Sequence, residues 1–477
     1  MGRPSPRIVY FYVPAAGRNA YCRKEFYCPM LQAGFSRMDV TPPLGTHLAG
    51  NFRNRPAEGI LDPLLATCVA FRDADGNTAL VYSIDNLYLM QSIADVARKT
   101  IREATGVPED AIFLACTHIH TGPCMVTKIF PHNPVYNAWF YEQLGTLGAL
   151  ALQDLAPAKL LTAEGRAEGI AFIRRFRMKD GSIRTNPGAL NPDIKEPIGT
   201  PDETVRLVRV VREGREEIDI VNFQVHPDVV GGKRYTADYP GFVRRTLEGA
   251  LPGVKVMYIN GAQGDTNHID VSLDPKSPDR KYFPCGKPNG YERARYMGQV
   301  IAGGVLQVWH KALPAEGPDR VRYCLRDLDT PANISDPSEL PEAEHIVALH
   351  EAGRDSEIPE TGMGVTTLVA EAYRKIRLSK REDPMLHLHM SAISVGGVAF
   401  AGFPGEPFTD IGRGTRSASP FGTTITACCV NGGEGYLPMY SAFAEGGYEA
   451  RSSQFTPGVA EQLIAGQAKI LKELMAD

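Results

Sequence analysis

The sequence predicts an α/β fold, with mixed β-sheets and flanking helices, on three observations. A unit of hairpin, crossover helix and buried strand occurs three times. No low-complexity linker interrupts the chain, and Pro and Gly are spread throughout, so one continuous domain accommodates the three units. Each unit also places polar residues at two equivalent points, the end of its second hairpin strand and the end of the strand after its helix. Open α/β sheets bind ligands at such strand ends.

The first unit pairs residues 66–71 with 79–84 across the turn at 73–77. It continues through a helix near 93–104 into a strand at 111–116. The second pairs 205–211 with 218–225 across 213–216, then runs through a helix near 242–250 into 254–259. The third pairs 386–395 with 398–403 across Gly396-Gly397, a tight-turn signature, then passes through a helix near 407–416 into 423–428. A last helix is expected near 459–475. Residues 1–32 lack periodicity and read as an N-terminal arm on a domain spanning 33–477, an arm that hints at contacts between subunits of a homo-oligomer.

The formal charge is -4, with 22% charged residues, which leaves no basic footprint for nucleic acid. No eighteen-residue apolar run suggests a membrane span, and the short, Tyr-rich run at 8–17 makes a poor signal core. Nine cysteines without a Cys-x-x-Cys spacing favour a reduced, cytoplasmic protein. The expected partner is a small molecule.

Chemistry concentrates in Thr117-His-Ile-His-Thr-Gly-Pro123. If the preceding strand continues, alternation places His118 and His120 on one face at its carboxyl end, as a metal or proton-transfer site requires. His226 caps the second hairpin strand of the second unit, Glu406 follows that of the third, and Tyr436 lies in a Gly-rich loop. Two imidazoles, a carboxylate and a further oxygen are ligands that zinc takes in a hydrolytic site. Asp85 and Asp228, beside these positions, read as carboxylates that orient histidines.

Six pieces in order resemble the catalytic domain of the neutral, non-lysosomal ceramidases. They are Ala33-Gly-Phe-Ser-Arg-Met-Asp-Val-Thr41, the His118 segment, Phe223-Gln-Val-His226, Asn260-Gly-Ala-Gln-Gly-Asp265, Pro404-Gly-Glu406, and Gly435-Tyr436 with Gly446-Gly-Tyr-Glu449. The resemblance implies that His118, His226, Glu406 and Tyr436 bind a catalytic Zn2+, with His120 beside the ion. It also implies an arginine near the scissile carbonyl, for which Arg174 is the candidate and Arg175 the fallback.

Two departures shape the expected function. Where family members carry a serine after Gly-Asp-Val, this chain reads Gly264-Asp-Thr-Asn267, so a zinc-activated water is the expected nucleophile. The chain also has no counterpart of the C-terminal β domain of longer ceramidases, which points to a smaller, more soluble substrate. The expectation is a zinc-dependent hydrolase of linear amides. In it His120, Arg174 and the Tyr436 hydroxyl stabilise the oxyanion, and His120 or Asp265 delivers the proton to the leaving amine. Ester or lactone hydrolysis on the same zinc site is the alternative. Two rivals are a non-catalytic small-molecule binding protein of the same fold, and a metal-independent hydrolase using Ser36, Ser83 or Cys116 with His118.

Overall fold

The computed structural model describes residues 31–126, 130–273 and 289–476. Residues 1–30 of the expected arm lie outside the described residues, and Gln32 already belongs to the first strand. No helix among the described residues is long and apolar enough to cross a membrane.

The three expected units are present, each enlarged by a leading strand. The first comprises β1 (Gln32–Asp39), β2 (Leu65–Arg72), β3 (Thr78–Ile84), α1 (Gln91–Thr105) and β4 (Ile112–Cys116). After α2 (Pro134–Gln153), the second comprises β5 (Ala156–Arg166), β6 (Thr204–Arg212), β7 (Glu217–Phe223), α3 (Asp238–Ala250) and β8 (Val254–Asn260). After α4 (Tyr291–Val308), the third begins with β9 (Val321–Pro331) and carries an insertion, α5 (Leu340–Glu351) and α6 (Met363–Leu378). It resumes with β10 (Met385–Val395), β11 (Val398–Gly402), α7 (Thr409–Ala418) and β12 (Thr423–Ala427), and α8 (Val459–Ala476) closes the described chain.

Local chemistry explains the hairpins. In the first, Asp73 Oδ1 accepts from the backbone of Asp75 at 3.0 Å and Asn77 at 2.9 Å, which closes the turn. In the third, Gly396 sits at φ 57°, a left-handed conformation that the two-residue turn between Val395 and Val398 requires. In every unit the helix then returns the chain parallel to the second hairpin strand. Ile84 lies opposite Cys116, Phe223 opposite Asn260, and Gly402 opposite Ala427. The polar segments that follow these strands therefore emerge side by side.

The leading strands β1, β5 and β9 pair antiparallel with β2, β6 and β10. A short β1–β5 pairing, Gln32 with Pro157 and Ala33 with Ala156, fuses the first two sheets. The first and third sheets share a core in which Phe400 packs on Phe71 at 6.5 Å and edge-on to Phe113 at 6.3 Å. The second sheet has its own core beneath α3 and α4. There α4 approaches β5 so closely that a Cβ on Gly165 would stand 2.3 Å from Gly304 O, and one on Gly304 2.4 Å from Arg166 O.

The last strands of the three units meet at the centre. Cys116 N donates to Cys429 O at 3.3 Å, and Cys428 N to Asn260 O at 3.0 Å. Two buried asparagines bind the seams. Asn222 Nδ2 donates to Ile259 O and Thr426 O, while Asn431 accepts from Leu114 N and donates to Ile112 O. Buried amides in an apolar core are tolerated where they make hydrogen bonds, and the bonds to Thr426, Leu114 and Ile112 are made across units.

Candidate metal centre

Three imidazoles and a carboxylate converge where the units meet. The chain leaves β4 and turns at His118, whose φ of 68° is left-handed, a conformation costing a non-glycine residue about 1–2 kcal/mol. Its neighbours hold it there. His118 N donates to Asn86 O and its Nδ1 to Leu87 O, both at 2.9 Å, just past the end of β3. Strand alternation therefore does not bring His118 and His120 together, as the sequence suggests; a turn does.

His120 is fixed from the other side, with its Nδ1 2.9 Å from Gly50 O and its own carbonyl accepting from Arg55 Nη2 at 2.9 Å. His226 follows β7 and donates its backbone N–H to Thr266 O. Glu406 belongs to a two-residue bridge, Glu406–Pro407 paired parallel with Tyr436–Leu437, which places Glu406 and Tyr436 in register. Asp265 secures that segment. Its Oδ1 accepts from Thr409 N at 2.8 Å and Thr409 Oγ1 at 2.7 Å at the start of α7, and Gly264 N donates to Pro407 O.

The rings of His118, His120 and His226 lie 4.7 to 5.3 Å apart. His120 Nε2 is 3.0 Å from His226 Nε2, His118 Nε2 is 3.2 Å from Glu406 Oε2, and His226 Nε2 is 3.9 Å from the same oxygen. Ligands about 2.0–2.1 Å from a tetrahedral zinc stand roughly 3.3 Å from one another. The separations straddle that value. With Nδ1–H committed to carbonyls in His118 and His120, each presents a bare Nε2 lone pair. His118 Nε2 and Glu406 Oε2 are buried and make no hydrogen bond outside the cluster. His118, His120 and His226 offer nitrogens within 4.8 Å of one another, a group that could hold a metal ion, and Glu406 Oε2 lies beside two of them.

Electrostatics agree. Burial and the neighbouring His118 push His120 down to about 4, and burial with Arg174 and His118 depresses His226, so both rings are neutral at pH 7. Burial opposes charge on Glu406, yet His118, His226 and Arg174 hold its carboxyl at about 2. Burial also opposes charge on His118, and Glu406 more than offsets it, raising His118. Neutral imidazoles beside a carboxylate are the metal-binding state, which His120 and His226 already hold; His118 keeps its proton more readily beside Glu406, so a metal would displace that proton.

Arg174 lies beside this cluster. Its Nε pairs with Glu449 Oε1 at 2.7 Å, its Nη2 donates to Gly264 O at 2.6 Å, and its guanidinium stands 5.2 Å from the Tyr436 ring. Arg175 turns to Glu445, Gly446 O and the Phe408 ring, with Glu449 at 3.8 Å. A 190 Å³ cavity, bordered by Leu48, Phe52, Leu87 and Phe130, exposes His118, His120, Glu406, Tyr436 and Tyr448 together. Tyr448 and Glu449 have no assigned role in the sequence reading. The signal was Gly446-Gly-Tyr-Glu449 itself, a second Gly-rich segment with polar residues at its end.

The remaining expected residues fall in other places. Asp228 lies by the histidines, 3.2 Å from His268 Nδ1, and His268, His226 and His120 outweigh its burial and hold it ionised. Asp85 does not orient a histidine. It makes a two-point ion pair with Arg244 and accepts from Leu65 N, and the Leu87 carbonyl does the orienting of His118 instead. Asp265, expected near proton transfer, is engaged with Thr409. Ser36 and Ser83 donate to Leu147 O and Tyr258 O inside the core, and burial raises the Cys116 thiol far above its usual range. None of the three is placed as a nucleophile. Asn267, near the position of the family serine, is fully buried and bonded to Asn186.

No protein-family model and no curated protein sequence matches the chain. Solved structures do. Neutral ceramidase from Pseudomonas aeruginosa aligns with a TM-score of 0.70 and 16% identity over 94% of this chain and 75% of that one. A ceramidase complexed with C2 aligns at 0.64, again with 16% identity, over 94% of this chain and 76% of that one. The chain therefore has the neutral ceramidase fold, as its motifs imply.

Proposed function

We propose that this protein is a zinc-dependent hydrolase of an amide bond in a small N-acylated substrate. The observation that carries the reading is the convergence of three imidazoles and a carboxylate on one point inside the fold, at separations of 3.0 to 3.9 Å. The likeness to ceramidases supports the amide as the scissile group. Ester or lactone cleavage is the secondary activity. Six free cysteines among the described residues support a reducing, cytoplasmic setting.

A zinc ion held by His118, His226 and Glu406 would polarise a carbonyl and make a water acidic enough to attack it near neutral pH. Arg174, kept charged by Tyr436 and Glu449 against its burial, stabilises negative charge developing on the carbonyl oxygen. Such a donor is worth about 3 kcal/mol. Where Tyr436 rather than His120 completes the ligand set, His120, neutral at pH 7, is free to take the proton of the attacking water and return it to the departing nitrogen. Glu449 and Leu87 O hold Arg174 and His118 in place, so little reorganisation accompanies the reaction.

The fourth ligand defines two readings. The motif resemblance gives that place to Tyr436, whereas the 3.0 Å approach of His120 Nε2 to His226 Nε2 favours His120. Metal analysis separates them. His118→Ala and His226→Ala are expected to lose both zinc and turnover of N-acyl amines. Tyr436→Phe loses zinc under the first reading, and His120→Ala under the second. Stoichiometric zinc in His118→Ala or His226→Ala, or full activity after complete metal removal, overturns the proposal.

A further inference from the structure

We infer that the α5–α6 insertion braces the metal centre by pinning the tip of the 47–56 loop, with His350 as the positioning residue. The pinned loop in turn fixes the ring of His120 and the Phe52 wall of the cavity. Only the effect of this brace on turnover rests on the amide-hydrolase reading above. The base of the loop belongs to the body of the fold. Leu48 N donates to Arg55 O and Ala49 N to Gly122 O, both at 2.9 Å, and Cys124 N donates to His47 O at 2.7 Å. The tip is held differently. Among the described residues, 50–53 make no backbone-to-backbone hydrogen bond, so side chains decide where the tip stands.

Facing inward, the tip touches the site. Gly50 O lies 2.9 Å from His120 Nδ1, and a Cβ on Gly50 would stand 2.5 Å from that nitrogen, at a φ of 81°. Glycine alone allows the backbone so close to the ring in this conformation. Residues 48–52 also border the 190 Å³ cavity that exposes His118, Glu406 and Tyr436, and Phe52 is among its walls. A displaced tip would therefore free the His120 ring and reshape the cavity together.

Facing outward, the tip meets the insertion at three points. The Phe52 ring stacks on Tyr373 of α6, with centroids 5.8 Å apart and planes within 5°, and packs against the insertion's own core of Ile346, Leu349 and Val369. Phe52 O lies 3.2 Å from Nε2 of His350 at the end of α5, while His350 Nδ1 lies 2.8 Å from Asp355 Oδ1. Arg53 pairs with the same Asp355 carboxylate. His350 is buried and engaged at both nitrogens, so its ring cannot turn without giving up bonds on both sides. It thereby sets the distance from the insertion to the Phe52 carbonyl, two residues from the Gly50 carbonyl that holds His120.

The test begins with the full-length, metal-free protein. Trypsin can cut the tip at one bond, Arg53–Asn54, because Arg55 precedes Pro56. Cleavage there follows the population in which the tip has let go. His350→Ala removes one hydrogen bond to the tip and is expected to speed cleavage about fivefold. It should also move the His120 ring signal in the magnetic resonance spectrum of protein carrying isotope-labelled histidine, a signal assigned with His120→Ala. His350→Gln presents its amide nitrogen where Nε2 stands and should restore both readouts, whereas His350→Asn reaches Asp355 alone and should restore neither. The Asn variant keeps the bond inside the insertion, and circular dichroism verifies that it is folded. An unaltered cleavage rate or His120 signal in His350→Ala, or restoration by Asn rather than Gln, overturns the inference. Turnover of the zinc-loaded protein is read separately, and kcat for an N-acyl amine should fall about tenfold or more in His350→Ala and recover in His350→Gln. If tip and His120 respond as expected but no amide is cleaved even by the wild type, the brace stands and the hydrolase reading fails. Cleavage by the wild type with an unresponsive tip does the reverse.

Discussion

Replacing Glu449 with Gln tests how the centre is braced. Glu449 is fully buried, and its two oxygens hold Arg174 Nε at 2.7 Å and Thr185 Oγ1 at 2.8 Å, with Arg175 Nε at 3.8 Å. The amide keeps the shape and removes the charge. Removing one partner of a buried ion pair costs about 3–5 kcal/mol, because the other charge is left uncompensated. Arg175 keeps Glu445 and Gly446 O, so the loss falls mainly on Arg174 and the lower end, about 3 kcal/mol, is expected. That is a large share of a typical folding stability of about 5–15 kcal/mol. Urea denaturation measures it as a lower midpoint at unchanged slope. Because Arg174 is also the proposed oxyanion donor, kcat/KM for an N-acyl amine is expected to fall about 10²- to 10³-fold with zinc content unchanged. Thr185→Val is a milder companion, removing only the 2.8 Å bond at a cost of about 1 kcal/mol. A Glu449→Gln protein within about 1 kcal/mol of wild type and with normal kcat/KM would refute the reasoning.

Other expectations follow from neighbouring features. In Gly264→Ala the new methyl would stand 2.5 Å from Glu406 O, so the carboxylate segment must shift. Zinc occupancy in dilute chelator and thermal stability should both fall, the latter by about 1–3 kcal/mol, and unchanged values would show that the segment yields freely. Asp219, held by Trp309 Nε1 at 2.8 Å, is raised by burial to about 7 from 3.8. Its protonated form is favoured in the native state, so native stability declines as pH rises from about 4 through 7, by up to about 4 kcal/mol. Asp219→Asn should flatten that part of the pH–stability curve, and identical curves for wild type and variant would count against it. Asn431→Ala breaks the bonds to Leu114 N and Ile112 O between the first and third units. A loss of about 1–3 kcal/mol is expected by denaturation, and a neutral effect would mean that the seam is held by packing alone.

Much of this architecture was legible in the sequence. The hairpins, crossover helices and last strands of the three units show as alternation, turn residues and apolar runs, which are local signals. The leading strands were not visible as parts of the units. β9, for example, carries Arg322 and Arg326 on one face and Asp327 and Asp329 on the other, which hides any apolar alternation, and its place depends on pairing with β10 more than fifty residues away. At the site, His226 and Glu406 follow the second hairpin strand of their units and His118 follows the strand after the helix of the first, the two kinds of strand end at which the sequence concentrates polar residues. Asp85 misled because adjacency along the chain is not adjacency in space; its carboxylate turns to Arg244, and a backbone carbonyl does the work assigned to it. The insertion of α5 and α6 had no motif to announce it.

The assembly of the centre from three units has a consequence for folding. His120 and His226 are 106 residues apart, and Glu406 arrives from the third unit. No single unit carries enough ligands to hold an ion, so high-affinity metal uptake reports the docking of all three sheets. Contacts of such sequence separation form late, after the local hairpins and crossovers. Zinc bound as proposed would stabilise only the fully docked state, and each tenfold rise in free zinc above its dissociation constant would add about 1.4 kcal/mol to that state's stability. The ion would thus act as a keystone, present only in an arch already closed and making its reopening slower.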